Sequence, residues 1–322
     1  MATSEQIISL IKSYLENDRE RFSTIALQVA AHEARQGHTA LAYDIRSLVD
    51  QAKAASQKVI PLNKDLEDLV LLSHPQERLS DLIVSDATRK RLERILREFR
   101  QKDSLKKHGL SNRRKLLLTG PPGTGKTMTS SILAGELHLP LFLIMMDKLV
   151  TKFMGETSAK LRQIFHAINE RIGVYLFDEF DAIGAERALD NDVGEMRRVL
   201  NSFLQFIEHD NSESLIVAAT NNRKILDQAL FRRFDDVLHY NLPTEKEAQH
   251  LIANRLAAFK AKRFPLVQCS QAALRLSHAE IAQACDDAIK EAILDNTETV
   301  SGKQLCQMLD ERHTAYGRQK DG

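Results

Sequence analysis

The sequence predicts an α/β fold: a parallel sheet covered by helices on both faces, with all-helical segments before and after it. Three observations carry that prediction. Apolar runs at residues 115–118, 141–144, 174–177, 215–219 and 237–240 alternate with helical stretches, as in a buried parallel sheet. The first run leads into a glycine-rich octet, Gly120-Pro121-Pro122-Gly123-Thr124-Gly125-Lys126-Thr127, and then into a helical stretch that opens at Met128. The third run ends in paired acids, Asp178-Glu179.

The elements follow in chain order. Residues 3–55 show helical periodicity alone, with Ile7, Ile8, Ile11 and Leu15 on one face, then Phe22, Ile25, Ala26 and Val29, then Leu41, Ile45 and Leu48. Gly37 is placed to end the second helix and Thr39 to cap the third. This makes residues 1–55 a small all-α domain. Residues 56–78, with Pro61 and weak periodicity, read as a linker. The alternating α/β part spans 79–242, a helical part spans 243–315, and 316–322 is a tail.

Composition limits the classes of partner. Lys plus Arg (45) nearly equals Asp plus Glu (44) in the 322-residue chain, so no bulk charge draws it to nucleic acid or a membrane. The N-terminal residues lack a basic start and an apolar stretch, and the longest apolar run, 139–146, is too short to span a bilayer. Cys269, Cys285 and Cys306 have no metal-ligand spacing and read as helix-packing residues in a reducing compartment, so a cytoplasmic location is expected.

The octet has the strand–loop–helix context of a phosphate-binding loop. Its glycines let backbone N–H groups converge on phosphate oxygens, and the following helix adds the partial positive charge of its N-terminus. Lys126 can reach the β- and γ-phosphates, and Thr127 offers a hydroxyl to Mg²⁺. Asp178, at the carboxyl end of a parallel strand, is placed to hold Mg²⁺, and Glu179 to polarise an attacking water. Asn221 ends another apolar run; its amide can hold that water, or it is a turn former before Asn222.

In this order the motifs resemble the AAA+ ATPases, and within them the AAA clade, over residues 79–315. The resemblance rests on residues 120–127, on Asp178-Glu179, on Ala218-Ala219-Thr220-Asn221 as the sensor-1 strand, and on Leu230-Phe231-Arg232-Arg233-Phe234-Asp235 as the arginine-finger segment. Ser277-His278-Ala279-Glu280 falls at the second sensor region. It implies a five-stranded parallel sheet of order 5-1-4-3-2, a four-helix C-terminal lid, and Mg²⁺-ATP bound between them. Arg232 and Arg233 are implied to reach a neighbour's site in a homo-oligomeric, hexameric ring; the alternative is pairing with Asp235 and Asp236. Ile83 is implied in the adenine pocket, as are His278 and Ala279. Many members have Gly where this chain has His278, which stands against adenine or ribose or else faces solvent.

Phe153, Met154 and Gly155 match the first pore loop of the clade, which grips an extended protein client through adaptable apolar contacts. The alternative is a core phenylalanine at a helix start. Residues 188–194 would form a second loop. The implied function is an ATP-hydrolysing ring motor that unfolds or remodels a protein client by threading. Two alternatives remain: an ATP-dependent switch acting on one dedicated partner, such as a separate protease, and a nucleic-acid remodeller. The last rests on residues 89–107, with nine basic and three acidic side chains, which otherwise read as a solvated helix face. The N-terminal helices fit an adaptor or partner-docking role. No His-Glu-x-x-His occurs, so degradation would need a separate polypeptide.

Overall fold

A computed structural model describes residues 4–15, 19–36, 38–56, 66, 68–149, 154–181, 193–222, 231–261 and 263–315. The chain divides into two units, Met1–Asn63 and Lys64–Gly322.

In the first unit, α2 (Arg19–Arg35) packs against both α1 (Ser4–Leu15) and α3 (Thr39–Ser56). Ile25, Ala26 and Val29 of α2 are buried, the face its periodicity predicts. The buried stripe of α3 differs from expectation. It runs through Ala42, half-buried Ile45 and Val49, while Leu41 and Leu48 are 49% and 66% exposed. A small residue at position 42 allows a closer helix approach than leucine at 41 would. Thr39 is the first residue of α3. The Ala42 N–H donates to the His38 carbonyl (3.1 Å), which puts the cap at His38. Gly37 lies outside the described residues.

The second unit is built on a six-stranded sheet. In chain order the strands are β1 (Val70–Ser73), β2 (Lys115–Thr119), β3 (Leu141–Ile144), β4 (Val174–Phe177), β5 (Leu215–Thr220) and β6 (Asp236–His239), arranged in space as β1-β3-β4-β5-β2-β6. The strands β2 to β6 are mutually parallel, and their order reproduces 5-1-4-3-2. β1 is an addition, antiparallel to β3 in the register Val70↔Ile144, and it falls within the stretch read as linker. Only Val70 of this strand is buried, so no alternation marks it in the sequence.

Every residue of β4 and β5 is buried, which is why they read as unbroken apolar runs. On one face, α4 (Asp86–Arg100) and α6 (Lys126–Leu137) place Leu92, Ile95, Ile132 and Leu133 against Leu116, Leu118, Leu176 and Val217. The short helix α5 (Lys102–Lys107) follows α4. After α7 (Met146–Leu149), the helices α8 (Met154–Glu170) and α9 (Val193–His209) cover the other face. There Phe165, Phe177, Phe180 and Phe203 form stacked and edge-on aromatic pairs.

Beyond β6 the chain is helical: α10 (Glu245–Arg255), α11 (Leu266–Ala272), α12 (His278–Leu294) and α13 (Gly302–Ala315). These helices share a second core that includes Ile252, Leu256, Leu276, Ile281, Leu305 and Leu309. Cys269 and Cys285 are buried in it, and all three cysteines are free. Among the described residues, no helix is long and apolar enough to cross a membrane.

Candidate functional site

The octet of residues 120–127 joins β2 to α6 at the carboxyl end of the parallel strands. Two of its glycines are required by space as well as conformation. Gly120 has φ +153°, and a Cβ there would lie 2.3 Å from the Tyr240 carbonyl oxygen. Gly123 has φ +71°, and its Cβ would lie 2.5 Å from Ser277 Oγ at the start of α12. The loop is therefore clamped between the last parallel strand and the helical lid. The Ala279 N–H donates to the Gly123 carbonyl (3.0 Å), and Ser277 and Glu280 form a reciprocal capping box that fixes the start of α12.

Lys126 is 6% exposed, and its Nζ donates to the carbonyls of Gly120 (2.8 Å) and Pro121 (2.7 Å). Burial holds the ammonium below the ordinary lysine pKa, opposed by the charges of Asp178 and Asp181. Thr127 Oγ1 donates to Asp178 Oδ2 (2.5 Å), so the hydroxyl and carboxylate expected at a metal do meet. Thr124 Oγ1 donates to the Pro121 carbonyl (2.8 Å), which braces the loop from within.

Glu179 follows β4 with φ +51°, a left-handed conformation uncommon for a non-glycine residue. Its N–H donates to Asp178 Oδ1 (2.9 Å), and the Phe180 N–H donates to the Ala219 carbonyl (2.8 Å), so the turn is anchored on both sides. The Asn221 N–H donates to Asp181 Oδ1 (3.3 Å) at the end of β5.

These side chains share one cavity of about 490 Å³, a size that suits a nucleotide. The sheet side contributes Pro122, Gly123, Thr124, Gly125, Lys126, Thr127, Met128, Asp178, Glu179 and Asn221. Ile83, expected at the adenine end, lines it beside buried Leu82. From the lid come His278 and Ala279, as expected, together with Leu251 and Arg255 of α10, which were not. Leu251 and Arg255 are four residues apart and so share a helix face, the only sequence signal that could have joined them. His278 is half-buried. Both of its ring nitrogens are buried and have no hydrogen-bond partner among the described residues, and burial lowers its pKa.

The two arginines of the finger segment separate. Neither lines the cavity. Arg233 Nε donates to Glu208 Oε2 (3.0 Å), whereas Arg232 is exposed and makes no ion pair among the described residues. The alternative pairing with Asp235 and Asp236 is not what forms. Asp235 accepts the backbone N–H groups of Arg114 (2.8 Å) and Lys115 (2.9 Å), and Asp236 pairs with Arg91. Phe153 and residues 188–192 lie outside the described residues. Met154 and Gly155 occupy the first turn of α8, so helix begins where loop was expected.

Residues 116–242 match the model of the ATPase family associated with various cellular activities (AAA). An uncharacterized AAA family ATPase, y4kL of Sinorhizobium fredii, is 32% identical over 322 residues, covering 97% of this chain and 96% of its own length. The chain belongs to the AAA ATPase family. This AAA ATPase is also 31% identical over 248 residues to the ATP-dependent zinc metalloprotease FtsH 2 of Sphaerobacter thermophilus, covering 73% of this chain and 38% of that protein. A 26S proteasome regulatory subunit homolog of Methanothermobacter thermautotrophicus is 28% identical over 204 residues, 62% of this chain and 55% of its own length.

The family membership explains the site as one for binding and hydrolysing ATP. The basic run of this AAA ATPase is largely spent on internal contacts. Arg91 pairs with Asp236, Arg100 with Glu136, and Lys102 and Lys106 with Glu213, while Arg89 donates to the carbonyls of Leu79 and Leu82. Arg113 and Arg114, just beyond it, pair with Glu98 and Asp210. Lys90, Arg94, Arg97 and Lys107 make no ion pair among the described residues, a sparse set for gripping phosphates.

Proposed function

We propose that this AAA ATPase works as a ring of identical chains, six in number, in which hydrolysis of Mg²⁺-ATP remodels a protein client by threading it through a central pore. The observation that carries the ring is the separation within the site. Glu179, Asn221, Lys126 and Asp178 line the cavity, while Arg232 is exposed and stands outside it. An arginine supplied by a neighbour would complete the set.

Each residue then has a role. The backbone amides of residues 120–127 and the Lys126 ammonium hold the β- and γ-phosphates. Thr127 and Asp178 fit Mg²⁺, because a hydroxyl and a carboxylate already in contact are hard oxygen donors. Mg²⁺, when bound, neutralises charge that develops on the phosphate oxygens. Glu179 takes the water's proton while Asn221 orients that water. Arg232 of the next subunit stabilises the transferring phosphoryl group, an effect worth about 10³–10⁵ in rate, or about 4–7 kcal/mol.

A protein client is favoured by the relatives, whose names are those of a metalloprotease and a proteasome regulatory subunit, and by the internal pairing of the basic run. Phe153, Met154 and Gly155 would grip the client, and the helices of residues 1–55 would dock an adaptor or a separate protease. The helical start at Met154 favours one second reading, a nucleotide-driven switch that acts on a dedicated partner without threading. Sedimentation velocity of Glu179→Gln, with and without Mg²⁺-ATP, tests the ring. An ATP-dependent shift to a hexamer supports it, and a monomer with ATP bound contradicts it. Phe153→Ala then separates threading from switching. Client unfolding is lost in the first case and retained in the second, with ATP binding intact in both.

A further inference from the structure

A buried pair of hydroxyls backs the octet, and the hydrolysis machinery does not use it. Thr129, in the first turn of α6, and Tyr240, which directly follows β6, are 0% and 4% exposed, and neither lines the cavity. Thr129 Oγ1 and Tyr240 Oη lie 2.6 Å apart. Thr129 Oγ1 also donates to the Gly125 carbonyl (2.9 Å). That bond uses its one proton, so Tyr240 Oη is the donor within the pair. Burial pushes the Tyr240 phenol pKa up to about 12, against the opposing effect of the Thr129 hydrogen bond, so the phenol keeps its proton at neutral pH. A directed chain therefore runs from Tyr240 through Thr129 to the Gly125 carbonyl. Tyr240 meets the other end of the octet as well. Its N–H donates to the Thr119 carbonyl (2.7 Å), and its own carbonyl oxygen packs where a Cβ on Gly120 would lie 2.3 Å away.

We propose that Tyr240 is a positioning residue for the nucleotide phosphates, acting through Thr129 on the peptide between Gly125 and Lys126. The proposal rests on ATP binding in this cavity, and it adds a residue from outside the octet to that reading. The N-cap of α6 is Gly125, which has φ +96° and no side chain to hold the first turn. Amides that bind phosphate cannot also anchor the turn, so the helix start has to be fixed from its carbonyl side. In a planar trans peptide the C=O and N–H point in opposite directions, so holding the Gly125 carbonyl aims the Lys126 N–H. That carbonyl is held twice, by the Thr129 N–H (2.9 Å) and by Thr129 Oγ1 (2.9 Å). A helical threonine can back-bond to the carbonyl four residues earlier unaided. Tyr240 adds a donor into that hydroxyl, which fixes its direction and strengthens the bond it makes in turn. A phenylalanine would fill the same space, so packing alone does not account for the Tyr240 hydroxyl.

The test is calorimetric binding of Mg²⁺-ADP and of Mg²⁺-tripolyphosphate, which carries phosphates without a nucleoside. Tyr240→Phe and Thr129→Val are each expected to weaken both ligands by the same factor, about 3- to 10-fold, the worth of a lost hydrogen bond. Thr129→Ser keeps the hydroxyl and should bind as the unaltered protein does. The double variant should be no weaker than Thr129→Val alone, within about 2-fold, because Tyr240 acts only through Thr129. Unchanged tripolyphosphate binding in Tyr240→Phe, even with lower stability on denaturation, would make the hydroxyl a packing group and overturn the proposal. A loss confined to ADP, or additive losses in the double variant, would overturn it too. Lys126→Ala must weaken both ligands; if it weakens neither, the phosphate site itself is wrong, a failure distinct from that of the hydroxyl pair.

Discussion

The sheet wall and the lid wall of the one cavity are built on different terms. On the sheet wall most polar side chains are already engaged: Lys126 on two carbonyls, Thr127 on Asp178, and Asp178 on the Glu179 N–H. On the lid wall, His278 has no partner among the described residues and Arg255 is held only along one edge. A wall whose donors are fixed in advance suits chemistry that is the same in every turnover, because preorganised dipoles need no rearrangement as charge develops. A wall with unused donors suits recognition. The Ala279–Gly123 hydrogen bond joins the two walls.

The comparison breaks most readily outside both walls. Arg232→Ala is expected to lower turnover by about 10³-fold or more, whereas Arg233→Ala, which breaks the pairing with Glu208 outside the cavity, should cost less than about 10-fold. Steady-state ATPase assays at several protein concentrations separate the two. Glu179→Gln removes the proposed base of the sheet wall. It should lower turnover by about 10²–10⁴-fold while ATP affinity stays within a few-fold, as measured by single-turnover hydrolysis and equilibrium binding. Wild-type turnover in that variant would reassign the base.

How much of this could be read in the sequence follows the same division. The sheet wall is made of contiguous motifs at strand ends, so residues 120–127, Asp178, Glu179 and Asn221 were legible, as was the strand order through the family resemblance. The left-handed backbone of Glu179 was not, because no glycine or asparagine announces it. The lid wall gathers residues from separate helices. Arg255 meets Asp286 only after two helices pack, and an Arg near a helix end otherwise reads as a surface charge. β1 escaped for a similar reason: Leu71 and Leu72 are 58% and 41% exposed, and the strand is defined by main-chain pairing with β3, far along the chain. The internal pairing of the basic run, read as a solvated helix face or a phosphate contact, was not legible because its partners, Asp236, Glu136 and Glu213, lie outside it.

Two smaller effects sharpen the picture. Gly123→Ala places a Cβ against Ser277 Oγ at the seam between the walls and on a positive-φ residue, so it should cost about 1–3 kcal/mol of stability. It should also weaken ATP binding, because the lid is pushed off the loop. Chemical denaturation and calorimetry measure both. Away from the seam, Glu213 accepts hydrogen bonds from Lys102 and then Lys106, which together hold its carboxyl pKa down to about 2 from 4.5. The depressed value means that the pairing contributes stability above the unfolded pKa of 4.5 and loses it as pH falls towards 2. Because the carboxylate is 38% exposed, Glu213→Gln should destabilise by less than about 1 kcal/mol at neutral pH. The deficit should shrink on acidification, as followed by denaturation at stepped pH.

The central claim, that one chain's cavity is completed by another chain's Arg232, is tested most directly by mixing two inactive variants. Arg232→Ala keeps an intact cavity, and Glu179→Gln keeps an intact arginine. Mixed in equal amounts with Mg²⁺-ATP, they should show ATPase activity well above the sum of the two alone, since some cavities of the first then face an arginine of the second. Activity that stays at that sum, in a mixture shown by sedimentation to form joint rings, would contradict the account.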